Sequence, residues 1–310
     1  MNTKRILIVD DLHHEFQQEA EKLGFIVDNH PEYTLNDTLQ VIADYTGLAI
    51  RSKFRVDREV IDAASNLKFV ARAGAGLDNI DEVYLKEKNI ICINAPEGNR
   101  DAVGEHAMGM LLILTNNLRK GDRQIRNGIW DREGNRGYEL KGKTVGIIGY
   151  GFMGMSFARK LQGFGVQVIA YDKYKTGFSD DFAREVSMEE IVKHADVLSL
   201  HIPLTRETKR LVTREYLFHF RKPIFFLNTA RGEIVNTADL LNAIDEGKIL
   251  GAGLDVLEVE KFPALKEQPW YQKLVNNERV LLSPHVAGWS FESYKRISEV
   301  LAMKLQQLKL

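Results

Sequence analysis

Short runs of Val, Ile and Leu recur along the chain with stretches of helical periodicity between them, the pattern of βα units that feed parallel sheets. A first series predicts strands at Arg5 to Val9, Phe25 to Asp28, Leu48 to Ile50, Phe69 to Arg72 and Ile90 to Ile93. Leu12 to Leu23, Val56 to Ala64 and Ile80 to Glu87 read as the helices between them. A long helix from about Arg100 to Arg119, apolar on most faces, leads into a glycine-punctuated stretch, Gly121 to Gly142. A second series then predicts six strands: Val145 to Ile148, Val166 to Tyr171, Val197 to Leu200, Ile224 to Leu227, Gly251 to Leu254 and Val280 to Leu282. A last helix, Phe291 to Leu308, has no strand after it to pair with, which implies that the chain crosses back to pack on the first series.

The fold class is therefore α/β, with two doubly wound parallel-sheet domains. The six strands of the second series are the number of a Rossmann dinucleotide-binding domain, assigned here to 97–283. It is inserted in a flavodoxin-like substrate domain, discontinuous over 1–96 and 284–310, with a change of domain near Ala95-Pro96. A chain of 310 residues suits two domains of roughly 150 residues each.

Charge and composition narrow the partners. The formal net charge is −1, so the overall basic field that would draw nucleic acid or an acidic membrane is missing. The longest apolar stretch, Ala107 to Leu114, is far below the roughly 18 residues of a membrane helix. Ile6 to Val9 before Asp10-Asp11 is too short for a signal-peptide core, so no secretion is indicated. A single cysteine, Cys92, excludes an internal disulfide, makes a cysteine metal site implausible and fits a reducing cytoplasm; no metal is expected. Any anionic partner is small and met locally.

The run from Lys143 to Gly154 places G-x-G-x-x-G directly after a strand and at the mouth of a helix. Gly149 allows the tight turn, Gly151 lets the backbone approach a pyrophosphate, and Gly154 lets helix and strand pack closely, with Phe152 and Met153 opening the helix whose N–H groups meet the phosphates. Asp172 ends the next strand, 23 residues past Gly149, where a carboxylate binds ribose hydroxyls and repels a 2′-phosphate. NAD is expected over NADP, although Lys173 and Lys175 either tolerate a phosphate or are solvated surface lysines.

In an open α/β sheet the ligand lies beyond the carboxyl ends of the strands. Three polar stretches follow the fourth, fifth and sixth strands of the second series: Asn228 to Gly232, Asp255 to Glu260, and Ser283 to Gly288. Arginine, carboxylate and imidazole converge there. With the Ala73 to Asp81 loop, Gly104-Glu105-His106 and His201 to Thr205, they make the sequence resemble the NAD-dependent D-isomer-specific 2-hydroxyacid dehydrogenases over essentially the full chain.

Hydride transfer at C2 of a hydroxy acid needs a base for the hydroxyl proton, a clamp for the carboxylate and stabilisation of developing charge. Arg231 offers a bidentate fork, His285 titrates near neutrality, and Glu260 would orient His285 and raise its pKa. The resemblance implies these same roles for the three residues. It also implies cofactor contacts from His201, Pro203, Thr205, Thr229, Ala230, Asp255 and Gly288, with Asp255 facing the nicotinamide, and substrate-carboxylate binding by backbone N–H groups near Ala75 and Gly76. It further implies a two-fold homodimer through the Arg100 to Arg119 helix and Gly128 to Trp130, and domain closure about hinges near Pro96 and Pro284.

Two features bear on the substrate, and they disagree. Arg72 precedes Ala73-Gly74 as in family members that act on 3-phosphoglycerate at the entry to serine synthesis, and Arg51 follows a neighbouring strand, so both are candidates to hold a phosphate. Lys53 and Arg55 read as ordinary exposed cations. The continuation Ala287-Gly288-Trp289-Ser290 resembles glyoxylate and hydroxypyruvate reductases at least as well. Arg72 carries more weight, because it can neutralise substrate charge directly. With the sequence ending at Leu310, feedback through an appended regulatory domain is not expected. An NAD-sensing corepressor on the same fold is the third reading.

Overall fold

The computed structural model describes residues 4–308. The strands are β1 (Arg5–Ile8), β2 (Ile26–Asn29), β3 (Gly47–Ile50), β4 (Phe69–Arg72), β5 (Ile91–Asn94), β6 (Thr144–Ile148), β7 (Gln167–Tyr171), β8 (Arg184–Glu185), β9 (Val197–Leu200), β10 (Ile224–Asn228), β11 (Ile249–Leu254) and β12 (Val280–Leu282). The helices are α1 (His14–Lys22), α2 (Leu35–Val41), α3 (Arg58–Ala63), α4 (Glu82–Glu87), α5 (Pro96–Thr115), α6 (Leu118–Arg126), α7 (Phe152–Lys160), α8 (Met188–His194), α9 (Arg214–Phe218), α10 (Thr237–Asp245), α11 (Tyr271–Val275) and α12 (Phe291–Gln307). They form two compact units, Met1–Arg100 with Trp289–Leu310, and Asp101–Gly288. The divisions fall four to five residues beyond the positions read from the sequence. Helix α5 starts at Pro96, where proline suits a first helical position, and the first division lies within it.

The first unit is a parallel sheet in the order β2-β1-β3-β4-β5. Both faces are covered, so its strands are continuous apolar runs rather than alternating ones. Ile6 and Ile8 face one cluster with Phe16, Phe69 and Ile93, while Leu7 and Val9 face the other with Leu48, Ile50, Val60 and Leu85. Helix α12 closes the first cluster through Ile297, Leu301, Ala302 and Leu305, so the last segment of the chain completes the unit that the first segment begins. Cys92 is a free thiol on β5, and burial pushes its pKa up to about 12.

The second unit is a sheet of seven strands among the described residues, in the order β12-β11-β10-β9-β6-β7-β8. All six strands read from the sequence are present. The seventh, β8, is two polar residues at the edge, too short to leave a hydrophobic pattern, and it corrects the count of six. Chain order runs outward on one side from β6 to β8 and on the other from β9 to β12. The crevice at that reversal is where ligands of such sheets bind.

Helix α2 was absent from the sequence reading; its signal is the capping box of Thr34 with Asp37 rather than apolar spacing. The long helix read as Arg100 to Arg119 is α5, which ends at Thr115, and a separate α6 begins at Leu118. Asn117 breaks them apart in the left-handed region at φ +52°, a conformation asparagine tolerates. Gly121 consequently lies inside α6, not in a loop. Among the described residues no helix is long and apolar enough to cross a membrane.

Candidate active site

Strand β6 delivers the glycine loop. Gly149 turns at φ +92°, and a Cβ there would collide with the carbonyl of His201. A Cβ on Gly154 would collide with the Gly149 carbonyl, whereas one on Gly151 meets nothing within 4 Å. Gly149 and Gly154 are thus fixed by packing, and Gly151 leaves an open cradle at the start of α7. Gly151 is the N-cap of α7 and supplies no side-chain cap, so the first-turn N–H groups face that cradle without one.

Asp172 follows β7, whose Tyr171 is in register with Ile148. Its Oδ2 accepts the N–H of Tyr150 at 2.9 Å and its Oδ1 that of Tyr174 at 3.0 Å. The carboxylate therefore ties the end of β7 to the glycine loop. Lys173 is paired with Glu207, and Lys175 Nζ donates to the Tyr150 carbonyl at 3.0 Å. Both amines are engaged by protein groups.

Across the sheet, His201 donates its backbone N–H to Ile148 and shares a 2.8 Å hydrogen bond between Nε2 and Ser199 Oγ. Burial pushes its pKa down to about 4, so the ring is neutral at physiological pH. Its Nδ1 and the Thr229 Oγ1 are buried polar atoms without a hydrogen-bond partner. Pro203 and Thr205 sit in a turn closed by Thr208 Oγ1, which donates to the Pro203 carbonyl at 2.7 Å. An open phosphate cradle, a carboxylate at the ribose position and two unsatisfied buried polar atoms at strand ends fit a dinucleotide.

Strands β10, β11 and β12 are adjacent, with Asn228 in register with Leu254 and Leu254 with Leu282, so the three polar stretches emerge side by side. Buried Asn228 shapes the first: its Oδ1 accepts the Ala230 N–H at 3.0 Å and its Nδ2 donates to the Arg231 carbonyl at 2.9 Å. The Arg231 Nη1 donates to the Ala230 carbonyl at 2.6 Å.

Asp255, 2% exposed, shapes the third stretch. Its Oδ1 accepts from Ser283 Oγ at 2.6 Å and from the Val286 N–H at 2.9 Å; its Oδ2 accepts from the Ala287 N–H at 2.9 Å. The Ser283 hydroxyl also lies 2.9 Å from His106 Nε2. The Asp255 carboxylate is thus occupied by the loop that carries His285. Asn228 and Ser283 have no role in the sequence reading; their signal is only that they are polar residues at the ends of buried strands.

His285 itself sits in the left-handed region at φ +55°, a strained conformation for a non-glycine residue, held by its N–H donating to the Asp255 carbonyl at 2.8 Å. Its Nδ1 lies 2.9 Å from Glu260 Oε2. That hydrogen bond raises the His285 pKa above the ordinary 6.5, against the opposing effects of burial and of the Arg231 charge. With Nδ1 held by a carboxylate, Nε2 is the ring nitrogen left for a reacting group. A cavity of about 310 Å³ opens beside the pair, walled by Leu257, Phe262, Leu265, Tyr271 and Leu282. A cavity under the carboxyl end of α7 lies away from these residues.

In the first unit Arg51 and Arg72 leave neighbouring strands, with Ile50 in register with Arg72. Ala75 and Gly76 follow in a half-buried loop, where the Ala75 carbonyl accepts from Asn94 Nδ2 at 2.6 Å.

Residues 108–287 match the family model described as "D-isomer specific 2-hydroxyacid dehydrogenase, NAD binding domain". The chain belongs to that family. NAD is its cofactor, and the second unit carries the NAD-binding domain. Among similar proteins, the hydroxypyruvate reductase of Thermotoga maritima is 34% identical over 87% of this chain and 87% of its own length. The D-3-phosphoglycerate dehydrogenase of Methanocaldococcus jannaschii is 33% identical over 98% of this chain, which spans 57% of that protein. The structure of a glyoxylate reductase from Paecilomyes thermophila superimposes with a TM-score of 0.87 over 99% of this chain and 95% of that one, at 27% identity.

Proposed function

We propose that this chain is an NAD-dependent dehydrogenase acting at C2 of a D-2-hydroxy acid, with 3-phosphoglycerate and 3-phosphohydroxypyruvate as its substrate pair, at the entry to serine synthesis in the cytoplasm. The observation that carries the reaction class is the 2.9 Å pair of His285 and Glu260, on the loops after β12 and β11, strands adjacent to the β10 that precedes Arg231. Bound nicotinamide supplies or accepts the hydride. In the reductive direction His285, held protonated by Glu260, delivers a proton from Nε2 to the carbonyl oxygen as C2 is reduced; in the oxidative direction the neutral ring removes it. Arg231 holds the substrate carboxylate and steadies charge on the C2 oxygen, with backbone N–H groups at Ala75 and Gly76 as further carboxylate ligands.

The phosphorylated substrate is supported by Arg51 and Arg72, whose guanidinium groups stand at neighbouring strand ends and can offer bidentate donors to a phosphate. The second reading, a hydroxypyruvate or glyoxylate reductase, is favoured by relatives of those names that match along most of their length. NADH oxidation with 3-phosphohydroxypyruvate beside hydroxypyruvate, repeated with Arg72→Ala, separates them. A preference in kcat/KM for the phosphorylated acid that the variant loses supports the first reading, and equal turnover supports the second.

A homodimer is part of this reading. Helix α5 buries Val103, Ala107, Met110 and Leu111, so the apolar surface available to a partner copy lies on α6 and just beyond it, at Leu118, Ile125, Ile129 and Trp130.

A further inference from the structure

Arg51 is fixed at its backbone. Asp10 Oδ2 accepts the N–H groups of Arg51, Ser52 and Lys53 at 3.1, 2.8 and 2.9 Å, which sets the loop after β3. The side chain is fixed differently. Its guanidinium carbon lies 4.2 Å over the ring centroid of Trp289, and its Nη1 is buried with no hydrogen-bond partner. Stacking uses the face of the guanidinium and none of its N–H groups, so the donors stay available in one plane.

The indole is itself buttressed. Tyr294 packs edge-on against it at 5.2 Å, the Tyr294 hydroxyl donates to Asp11 Oδ1 at 2.7 Å, and His13 packs edge-on against Tyr294 at 5.3 Å. Directly after Trp289 the reciprocal Ser290 and Ser293 capping box fixes the start of α12. Trp289 remains 43% exposed despite these contacts. A tryptophan placed only to fill the core would be covered; this one is held in place with its face on an arginine.

We infer that Trp289 is a specificity-determining residue: it holds the Arg51 fork flat, with a donor waiting, for an anionic group that the substrate carries away from its reacting carboxylate. The inference rests on the phosphorylated-substrate reading and deepens it. It also resolves the disagreement in the sequence, because the Trp289 segment, which pointed to unphosphorylated acids, is attached to the arginine that points to phosphorylated ones.

The test is NADH-linked turnover of 3-phosphohydroxypyruvate and of hydroxypyruvate by the wild type, Trp289→Leu and Trp289→Phe, with KM and kcat separated. Trp289→Leu is expected to lower the kcat/KM preference for the phosphorylated acid about tenfold, through KM, and the stacking ring of Trp289→Phe to restore it to within about threefold of wild type. An equal rise in KM for both acids in Trp289→Leu, or a Trp289→Phe enzyme no better than Trp289→Leu, overturns the inference and leaves a packing role. A wild type without any preference for the phosphorylated acid overturns the substrate reading itself, and the inference with it. The two failures are read from different enzymes.

Discussion

The Nδ1 of His285 and the Oε2 of Glu260 lie 2.9 Å apart, although Glu260 is on the loop after β11 and His285 on the loop after β12. Neither loop is regular structure, so the pair depends on what fixes each one. For His285 that is Asp255, whose carboxylate accepts from the Ser283 hydroxyl and from the Val286 and Ala287 N–H groups. On the Glu260 side, Gly232 passes close against the Leu257 backbone three residues earlier.

On the proposed mechanism the pair would set the pH dependence of the reaction. Glu260 raises the His285 pKa above 6.5, so the protonated ring persists to higher pH than it would alone. Glu260→Gln removes the charge and keeps the shape. Its apparent pKa for keto-acid reduction is expected to move down toward 6.5, with activity at pH 7.5 falling on the order of tenfold or more. Because the folded pKa is the raised one, the stability this pair contributes is present below pH 6.5 and lost as pH rises through the folded value. A pH profile of kcat/KM unchanged in the variant would separate Glu260 from His285.

Gly232 tests the geometry without touching either residue. A Cβ there would overlap the Leu257 backbone, three residues before Glu260. Gly232→Ala is expected to cost about 1–3 kcal/mol of stability from overpacking and to lower kcat more than NADH affinity. Wild-type turnover with an unchanged melting temperature would mean that the 257–260 loop has room to move.

Much of this was legible in the sequence because it rests on short-range pattern. The glycine loop, Asp172 and the residues at the ends of β10, β11 and β12 follow from strand ends and spacing. What escaped depends on contacts distant in sequence or on elements with no apolar signature. Strand β8 is two polar residues; α2 is marked by a Thr34 and Asp37 cap; and the break at Asn117 is a backbone conformation of one residue. The work of Asp255 on the His285 loop joins positions some 30 apart, and periodicity carries no trace of it.

On the proposed reading, the preference for NAD over NADP comes from Asp172, with Lys173 and Lys175 engaged by protein groups. NAD is expected to bind more tightly than NADP, and Asp172→Ala to weaken NAD by about 1–3 kcal/mol while narrowing that difference, since a hydrogen-bonded carboxylate is lost. Titration of both cofactors into both proteins checks this. Equal affinities in the wild type would refute it.

Trp130, 85% exposed, lies just past α6 among Ile125 and Ile129, an apolar surface that a second copy would cover. Sedimentation at micromolar concentration is expected to give twice the 35.3 kDa chain mass, and Trp130→Glu to shift the population toward the monomer. A monomeric wild type would contradict the dimer.

Whether His285 carries the proton is read from NADH oxidation by the wild type and His285→Ala with 3-phosphohydroxypyruvate and hydroxypyruvate, with NADH affinity measured alongside. The wild type should turn over at least one acid, and the variant should lose roughly 10²–10⁴-fold in kcat on it while binding NADH as before. His285→Ala reducing either acid at the wild-type rate would contradict the assignment of the proton to His285.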